Sequence, residues 1–297
     1  MAEQERSDRV STAKPCGLWD IYRFSYLLAL RSLNWHHARD VARLLIEPCS
    51  YWRNVEVPAV VNHLCVRRGE RILDVGSPKL ASIFLWYRMG VEMYATDLYP
   101  YFFDEYSHYL RRVANSQTGA SYHIELQDAR RLTYPDCYFN KVYAISVVEH
   151  IEHEGDSLAV QEIRRVLRPG GICCLTVPFA SRYRESSIEY EVYYKDSAKG
   201  RPAFYERHYD PQSLQERLIG PSGLTVSTLK YFGERWVPFE RLYRALPRIL
   251  KMLLSPLSPA FARVFLHEVD SNRLSSAKAA LIVMRKQSRP FPGTPSD

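Results

Sequence analysis

The sequence predicts an α/β domain built on a doubly wound sheet of seven strands, and three observations predict it. From Arg71 onward, short β-rich runs alternate with helix-length segments, the pattern of a parallel sheet covered by helices on both faces. The first run, Arg71-Ile72-Leu73-Asp74-Val75, closes an apolar strand with an acid and leads through Gly76 into a helix start. Arg168-Pro169-Gly170-Gly171 is a stop-and-turn signal that ends one helix and feeds the next strand. With 297 residues, 46% hydrophobic and 25% charged, the chain can bury the core of one elaborated domain.

Taken in order, strands are expected at 71–75, 91–96, 121–126, 142–147, 171–177, 224–231 and 279–284, with helices at 79–88, 102–116, 157–167 and 211–218 between them. Ahead of the first strand, residues 17–65 carry Ile21, Phe24, Leu27, Leu28 and Leu33, then Val41, Leu44 and Leu45, at helical spacing, which predicts cap helices. The domain proper, 66–285, contains two insertions. Residues 183–205 form a tyrosine-rich loop, long enough to serve as a lid or a substrate contact, and residues 236–268 form a helical insertion between the last two strands. The ends, 1–16 and 286–297, are expected to be disordered.

Several classes are disfavoured by composition. The longest stretch free of Asp, Glu, Lys and Arg, 169–181, is too short to span a bilayer, and residues 1–14 lack the apolar core of a secretion signal. Six cysteines form no C-x-x-C pair, and adjacent Cys173 and Cys174 in a strand would point to opposite faces. They are read as reduced thiols of a cytoplasmic protein. The net charge of +7 admits an anionic partner without choosing among nucleic acid, phospholipid and a phosphorylated metabolite.

The chemistry is expected around the first strand. Gly76 lets backbone approach a ligand closely, and the following helix offers free amides and the positive end of its dipole. Ser77 and Pro78 read as N-cap and first helical residue. Asp97 stands near the end of the second strand, where a carboxylate can accept hydrogen bonds from both hydroxyls of a ribose. Asp128 and Ala129 follow the third.

Leu-Asp-Val-Gly at 73–76, Ala-Thr-Asp at 95–97, Gln-Asp-Ala-Arg at 127–130, the run from Val142 to Ile151 containing Glu149-His150, and Leu-Arg-Pro-Gly-Gly at 167–171 occur in order. Together they resemble the class I S-adenosylmethionine-dependent methyltransferases, and most closely the small-molecule branch that includes the quinone-biosynthesis enzymes. The resemblance covers about Val66 to Met284. It implies a Rossmann-like sheet, mostly parallel with an antiparallel last strand. It also implies that Asp74 and Gly76 line the methionine moiety of S-adenosylmethionine, Asp97 holds its ribose, and Asp128 with the Ala129 backbone meets its adenine. Ser146 and Val147 would face the sulfonium and the acceptor. The glycine loop departs from the family, with Pro78 and Leu80 where small residues are usual, so Lys79 or Arg53 is expected to supply a cation to the methionine carboxylate.

If the acceptor is a hydroxyl or an acidic carbon, a base must take its proton, and His150 and His208 are the candidates. Glu149-His150-Ile151-Glu152-His153 offers two histidines one helical turn apart without further ligands, so no metal is expected and these residues read as a solvated helix start. In the second insertion Arg241, Arg244, Arg248 and Lys251 form a basic stripe, with Leu242, Leu246, Ile249 and Leu253 on another side. Residues 241–254 could therefore touch an anionic membrane or cover the site of an amphipathic acceptor, although Pro247, Pro256 and Pro259 interrupt the segment. A nicotinamide dehydrogenase would want a G-x-G-x-x-G that is missing, and no RNA-binding or base-modifying motif supports a nucleic-acid substrate. The function expected is methyl transfer from S-adenosylmethionine to O, N or C of a small or amphipathic metabolite. The alternatives are a catalytically degenerate methyltransferase-fold scaffold or cofactor-binding protein and, after these, an RNA methyltransferase.

Overall fold

Alternation of side chains along each strand sorts the apolar residues onto two faces and gives the sheet a core on each side. In the computed structural model, which describes residues 16–33, 38–100, 103–113, 119–188, 203–236 and 239–288, Ile72, Tyr143, Ile145 and Cys174 pack into one core. Leu73, Val75, Val142 and Cys173 pack into the other. The first core is closed by α1 (Leu18–Arg31), α3 (Arg53–Leu64), α4 (Lys79–Met89) and α5 (Phe103–Val113), with α2 (Ala38–Ile46) outside α1. The second is closed by α6 (Gly155–Val166) and a helical segment at 211–222. That segment is π-helical over Leu214–Ile219.

The strands are β1 (Arg71–Val75), β2 (Glu92–Asp97), β3 (Tyr122–Leu126), β4 (Phe139–Ile145), β5 (Leu167–Pro178), β6 (Arg184–Ile188), β7 (Ala203–His208), β8 (Thr225–Glu234), β9 (Leu266–Val269) and β10 (Ala277–Arg285). The main sheet has the order β3-β2-β1-β4-β5-β10-β8-β9. Strands β1 to β5 run parallel, and β10 is antiparallel to both β5 and β8. The chain reverses its winding between β1 and β4, so their carboxyl ends flank the crevice in which an open α/β sheet binds its ligand.

The sheet holds eight strands where the sequence suggests seven. The added strand, β9, lies in the insertion read as helical, whose remainder forms α7 (Phe239–Ala245), α8 (Arg248–Leu254) and α9 (Ser258–Phe265). It pairs with Tyr231–Glu234, the end of β8, which runs beyond the expected limit at Tyr231. At Gly233 a Cβ would lie 2.5 Å from the Ser276 carbonyl oxygen, so the glycine serves close packing inside the sheet. Likewise the segment 183–205 is no plain loop, since β6 and β7 pair as an antiparallel hairpin, with 189–202 outside the described residues. The expected disordered ends also lie outside the described residues, apart from Cys16 and 286–288. Lys286 donates to the carbonyls of Arg164 and Leu167 at 2.8 and 2.7 Å and is thus fixed to the end of α6.

The hairpin is tied to the loop after β4 by buried charge. Asp156, fully buried, accepts from Arg217 Nε and Nη2 at 2.8 and 2.9 Å and from the Tyr209 hydroxyl at 2.8 Å, and it lies 3.8 Å from Arg207 Nε. Arg207 of β7 is itself buried and donates to the carbonyls of Ile151 and His153. Removing the anion would leave the buried Arg207 guanidinium with only the half-exposed Glu185 carboxylate, 3.3 Å from Nε, and breaking a buried pair costs about 3–5 kcal/mol. Asp156→Ala is therefore expected to lose about 3 kcal/mol or more of unfolding free energy in urea titration, whereas Glu154→Ala, at the exposed end of the network, should lose under about 1 kcal/mol.

Candidate functional site

Gly76 follows β1 in the left-handed region, with φ of +64°, and donates its N–H to the Thr96 carbonyl at 3.0 Å. A Cβ at this position would meet Val147 Cγ1 at 2.8 Å, so the turn after β1 and the loop after β4 approach as closely as only glycine allows. Asp74, fully buried, accepts the Ser77 N–H at 2.9 Å through Oδ1, while Oδ2 has no hydrogen-bond partner. Burial raises the pKa of Asp74, against the opposing pull of Lys79 and of the Ser77 hydrogen bonds. Ser77 does not cap the helix as its sequence position suggests. Its hydroxyl accepts the Ile145 N–H of β4 at 2.9 Å, and α4 starts at Lys79 behind Pro78 without a side-chain cap.

The Lys79 ammonium points into the protein. It donates to the carbonyls of Ser77 and Thr96 at 2.9 and 2.8 Å and stands 3.8 Å from Asp74 Oδ2 and 3.7 Å from Asp97 Oδ2. The sequence expects Lys79 to reach out to a ligand carboxylate. Instead it braces two of the chain's own carboxylates, because its side chain folds back over the turn that Pro78 shapes. Asp97 remains one-fifth exposed at the cavity wall, its pKa raised by burial and moderated by Lys79. Asp128 also lines the cavity, but Arg130 grips its carboxylate through Nε and Nη2, the latter at 2.7 Å, which lowers its pKa. Ala129 lines the same wall.

At the end of β4, Ser146 adopts φ of +46°, a conformation unfavourable for a residue with a Cβ. Three contacts hold it there. Its N–H donates to the Thr176 carbonyl at 2.9 Å, its hydroxyl donates to Glu56 Oε1 at 3.1 Å, and Arg53 donates to its oxygen. Arg53 also pairs with Glu56. Both acid and base belong to the first turn of α3, so the cap helix fixes the conformation of the strand end. Such strain, about 1–3 kcal/mol, collects at functional positions.

One cavity of about 810 Å³ takes in Arg53, Gly76, Asp97, Asp128, Val147 and His150 among its walls. His150 Nδ1 lies 2.7 Å from the Tyr205 carbonyl of β7, an acceptor only, so the ring carries its proton on Nδ1 and Nε2 is the basic nitrogen. Burial lowers the pKa of His150 below 6.5. His208 is not part of these walls; it turns to Glu206, 3.0 Å away. The segment 149–153 also differs from a solvated helix start. Glu149 is fully buried, with neither carboxylate oxygen hydrogen-bonded, and burial pushes its pKa well above 4.5 despite nearby Arg53. Only His153 and Glu152 face solvent. Among the described residues no group of His, Cys, Asp and Glu could hold a metal ion. Glu56 and the Tyr205 carbonyl escaped the sequence reading, and Glu149 was read as solvated, because nothing local marks an acid or a carbonyl that a distant element will cover.

Residues 73–175 match the family model of the methyltransferase domain, a stretch running from β1 into β5. No curated protein matches the chain. Among solved structures, the cyclase SpnF is similar at 17% identity over 78% of this chain and 80% of that one, with a TM-score of 0.51. The MccD protein is similar at 14% identity over 80% and 98%, with a TM-score of 0.50. The complex of the Haloferax volcanii Trm112 methyltransferase activator with a methyltransferase is similar at 12% identity over 88% and 97%, with a TM-score of 0.50. These likenesses define a shared Rossmann-like fold, and the segment 73–175 is similar to the methyltransferase domain.

The cofactor of such a domain is S-adenosylmethionine, and the residues present fit it. The Gly76 turn leaves no Cβ against Val147, the partly exposed Asp97 carboxylate suits a diol, and Arg53 at the cavity wall suits a carboxylate. Gly76→Ala is expected to weaken S-adenosylmethionine binding at least tenfold in calorimetric titration, since the methyl group would displace Val147 in an already unfavourable backbone region. Glu149 supplies a pH test of the buried acid. With its pKa raised in the folded state, the native protein holds a proton that the unfolded chain has lost, so stability falls as pH rises from about 4.5 towards the raised value. Glu149→Gln should remove that fall and raise the neutral-pH unfolding free energy by about 1 kcal/mol or more, measured in urea at pH 5 and pH 8.

Proposed function

We propose that this chain transfers the methyl group of S-adenosylmethionine to an oxygen, nitrogen or acidic carbon of a small or amphipathic metabolite. The observation that carries the reading is that one cavity joins Gly76, Asp97 and Asp128 to a histidine whose tautomer is fixed. The cofactor supplies an electrophilic methyl group on a cationic sulfur, so direct displacement needs no covalent enzyme intermediate. In this reading Gly76 and Val147 set the closeness of the donor wall. Asp97 accepts hydrogen bonds from the ribose, and Asp128 with the Ala129 backbone borders the adenine. Arg53 takes the methionine carboxylate, the role that the inward-facing Lys79 leaves to it. Ser146, held by Arg53 and Glu56, shapes the boundary between donor and acceptor.

The acceptor proton passes to His150 Nε2 as the new bond to carbon forms. Tyr205 then stabilises the doubly protonated ring through its carbonyl. Holding donor and acceptor in line inside a cavity supplies much of the remaining acceleration. The apolar share of the wall, with Leu28, Leu44, Ile83, Ile188 and Phe204, suits a partly apolar acceptor and agrees with the resemblance to the quinone-biosynthesis branch. A second reading, a methyltransferase-fold scaffold that has lost the cofactor and turnover, is supported by one observation: Lys79 competes for the Asp97 carboxylate.

Calorimetric titration with S-adenosylmethionine and S-adenosylhomocysteine tests the proposal. Saturable binding is expected, weakened at least tenfold in Asp97→Ala, and no binding by folded wild-type protein would overturn it. With an acceptor in hand, His150→Gln should lower kcat by about 10²-fold or more, with the cofactor Kd little changed. The wild-type kcat/KM should decline in acid only below pH 6.5, since burial holds the His150 pKa below that value.

A further inference from the structure

Among the described residues, exposed large hydrophobic side chains are unevenly distributed: seven of the fifteen lie within residues 236–264. Trp236, Ile249 and Leu253 are exposed to 80%, 70% and 65%, and Leu242 and Leu257 are also open to solvent. The inward side of the same segment is aromatic. Tyr243 stacks on Phe239 and Tyr51, Phe239 stacks on Phe265 at 4.2 Å between ring centroids, and Ala262 is buried. These contacts seat the segment beside α3 and leave its aliphatic residues facing out. Trp236, at the turn into α7, has φ of +60°, an outlier for a bulky residue.

Charge accompanies the apolar surface. Residues 235–264 hold six basic residues (Arg235, Arg241, Arg244, Arg248, Lys251 and Arg263) against one acid, Glu240, a net of +5 in a chain whose total is +7. Arg235, Arg241 and Arg263 are exposed. We propose that the segment 236–264 is a docking surface for anionic phospholipid, lying in the plane of the interface. Aliphatic side chains would enter the acyl boundary, Trp236 would sit at headgroup level, and the basic residues would meet the headgroups. A second copy of the chain fits less well, because a two-fold contact would set +5 against +5. Nucleic acid fits less well too, because exposed leucine and isoleucine offer neither stacking planes nor polar contacts to it. The position of the surface also matters for the proposed reaction. Helix α8 packs on α2, and α2 contributes Arg43 and Leu44 to the cavity wall, so an amphipathic acceptor could pass from bilayer to site along this side. The docking inference itself does not rest on methyl transfer.

Co-sedimentation of the full chain with vesicles tests it, comparing pure phosphatidylcholine with phosphatidylcholine containing about 30 mol% phosphatidylglycerol. Partitioning at least about tenfold stronger on the anionic vesicles is expected. The double variant Ile249→Glu, Leu253→Glu should lose it, while Leu229→Glu, an exposed apolar position on β8, should retain it. Circular dichroism and thermal unfolding verify that each variant folds, and S-adenosylmethionine titration reads the cofactor site separately. Equal or absent sedimentation with both vesicle types by folded wild-type protein would overturn the proposal, as would retention by the double variant. Concentration-dependent self-association abolished by the double variant, without vesicle binding, would assign the surface to a second copy. A mobility shift of single-stranded RNA abolished by that variant, again without vesicle binding, would assign it to nucleic acid.

Discussion

The site depends first on a buried ammonium. Lys79 Nζ lies between Asp74 and Asp97, 3.8 and 3.7 Å from their carboxylate oxygens, and donates to two carbonyls from the ends of β1 and β2. Two carboxylates brought this near each other in a low-dielectric region would raise each other's pKa, and a cation between them counters both that repulsion and the loss of hydration. The arrangement also explains how a loop bearing Pro78 stays ordered. Proline removes one backbone donor, and the lysine brings charged donors to the same turn from the first residue of α4.

A second pairing joins the cap to the sheet. Arg53 and Glu56, one turn apart on α3, close on Ser146 and hold it in a backbone conformation it would otherwise avoid. A third, from Arg207 and Asp156, fastens the β6–β7 hairpin to the loop after β4 and thereby presents the Tyr205 carbonyl to His150. The cavity thus has one wall made by the ends of the parallel strands and another made by elements outside the sheet. Charged side chains join the two.

The parts legible in the sequence are those whose signals are local. Strand β1, Gly76, Asp97 and Asp128 sit where apolar runs end, and the ends of such runs can be read directly. The eighth strand escaped because its pairing partner lies some thirty residues away and because Gly233, ordinarily a break, is required there for close packing. Lys79 was singled out for its charge, but the direction of its side chain depends on two carboxylates and a carbonyl from another strand, which no spacing reveals. The same holds for Glu149. Its neighbours His150, Glu152 and His153 suggest a wet helix start, and only the fold shows that the first acid of the run is covered completely.

The Arg53–Ser146 link spans 93 residues of sequence, and the Glu56–Ser146 link spans 90. Contacts of such separation carry a loop-closure cost that local helical contacts do not. During synthesis the cap emerges well before the strand end it must grip. The conformation of Ser146 is therefore set across the chain and not by its own neighbours, and that side of the cavity wall takes its shape only where cap and sheet meet.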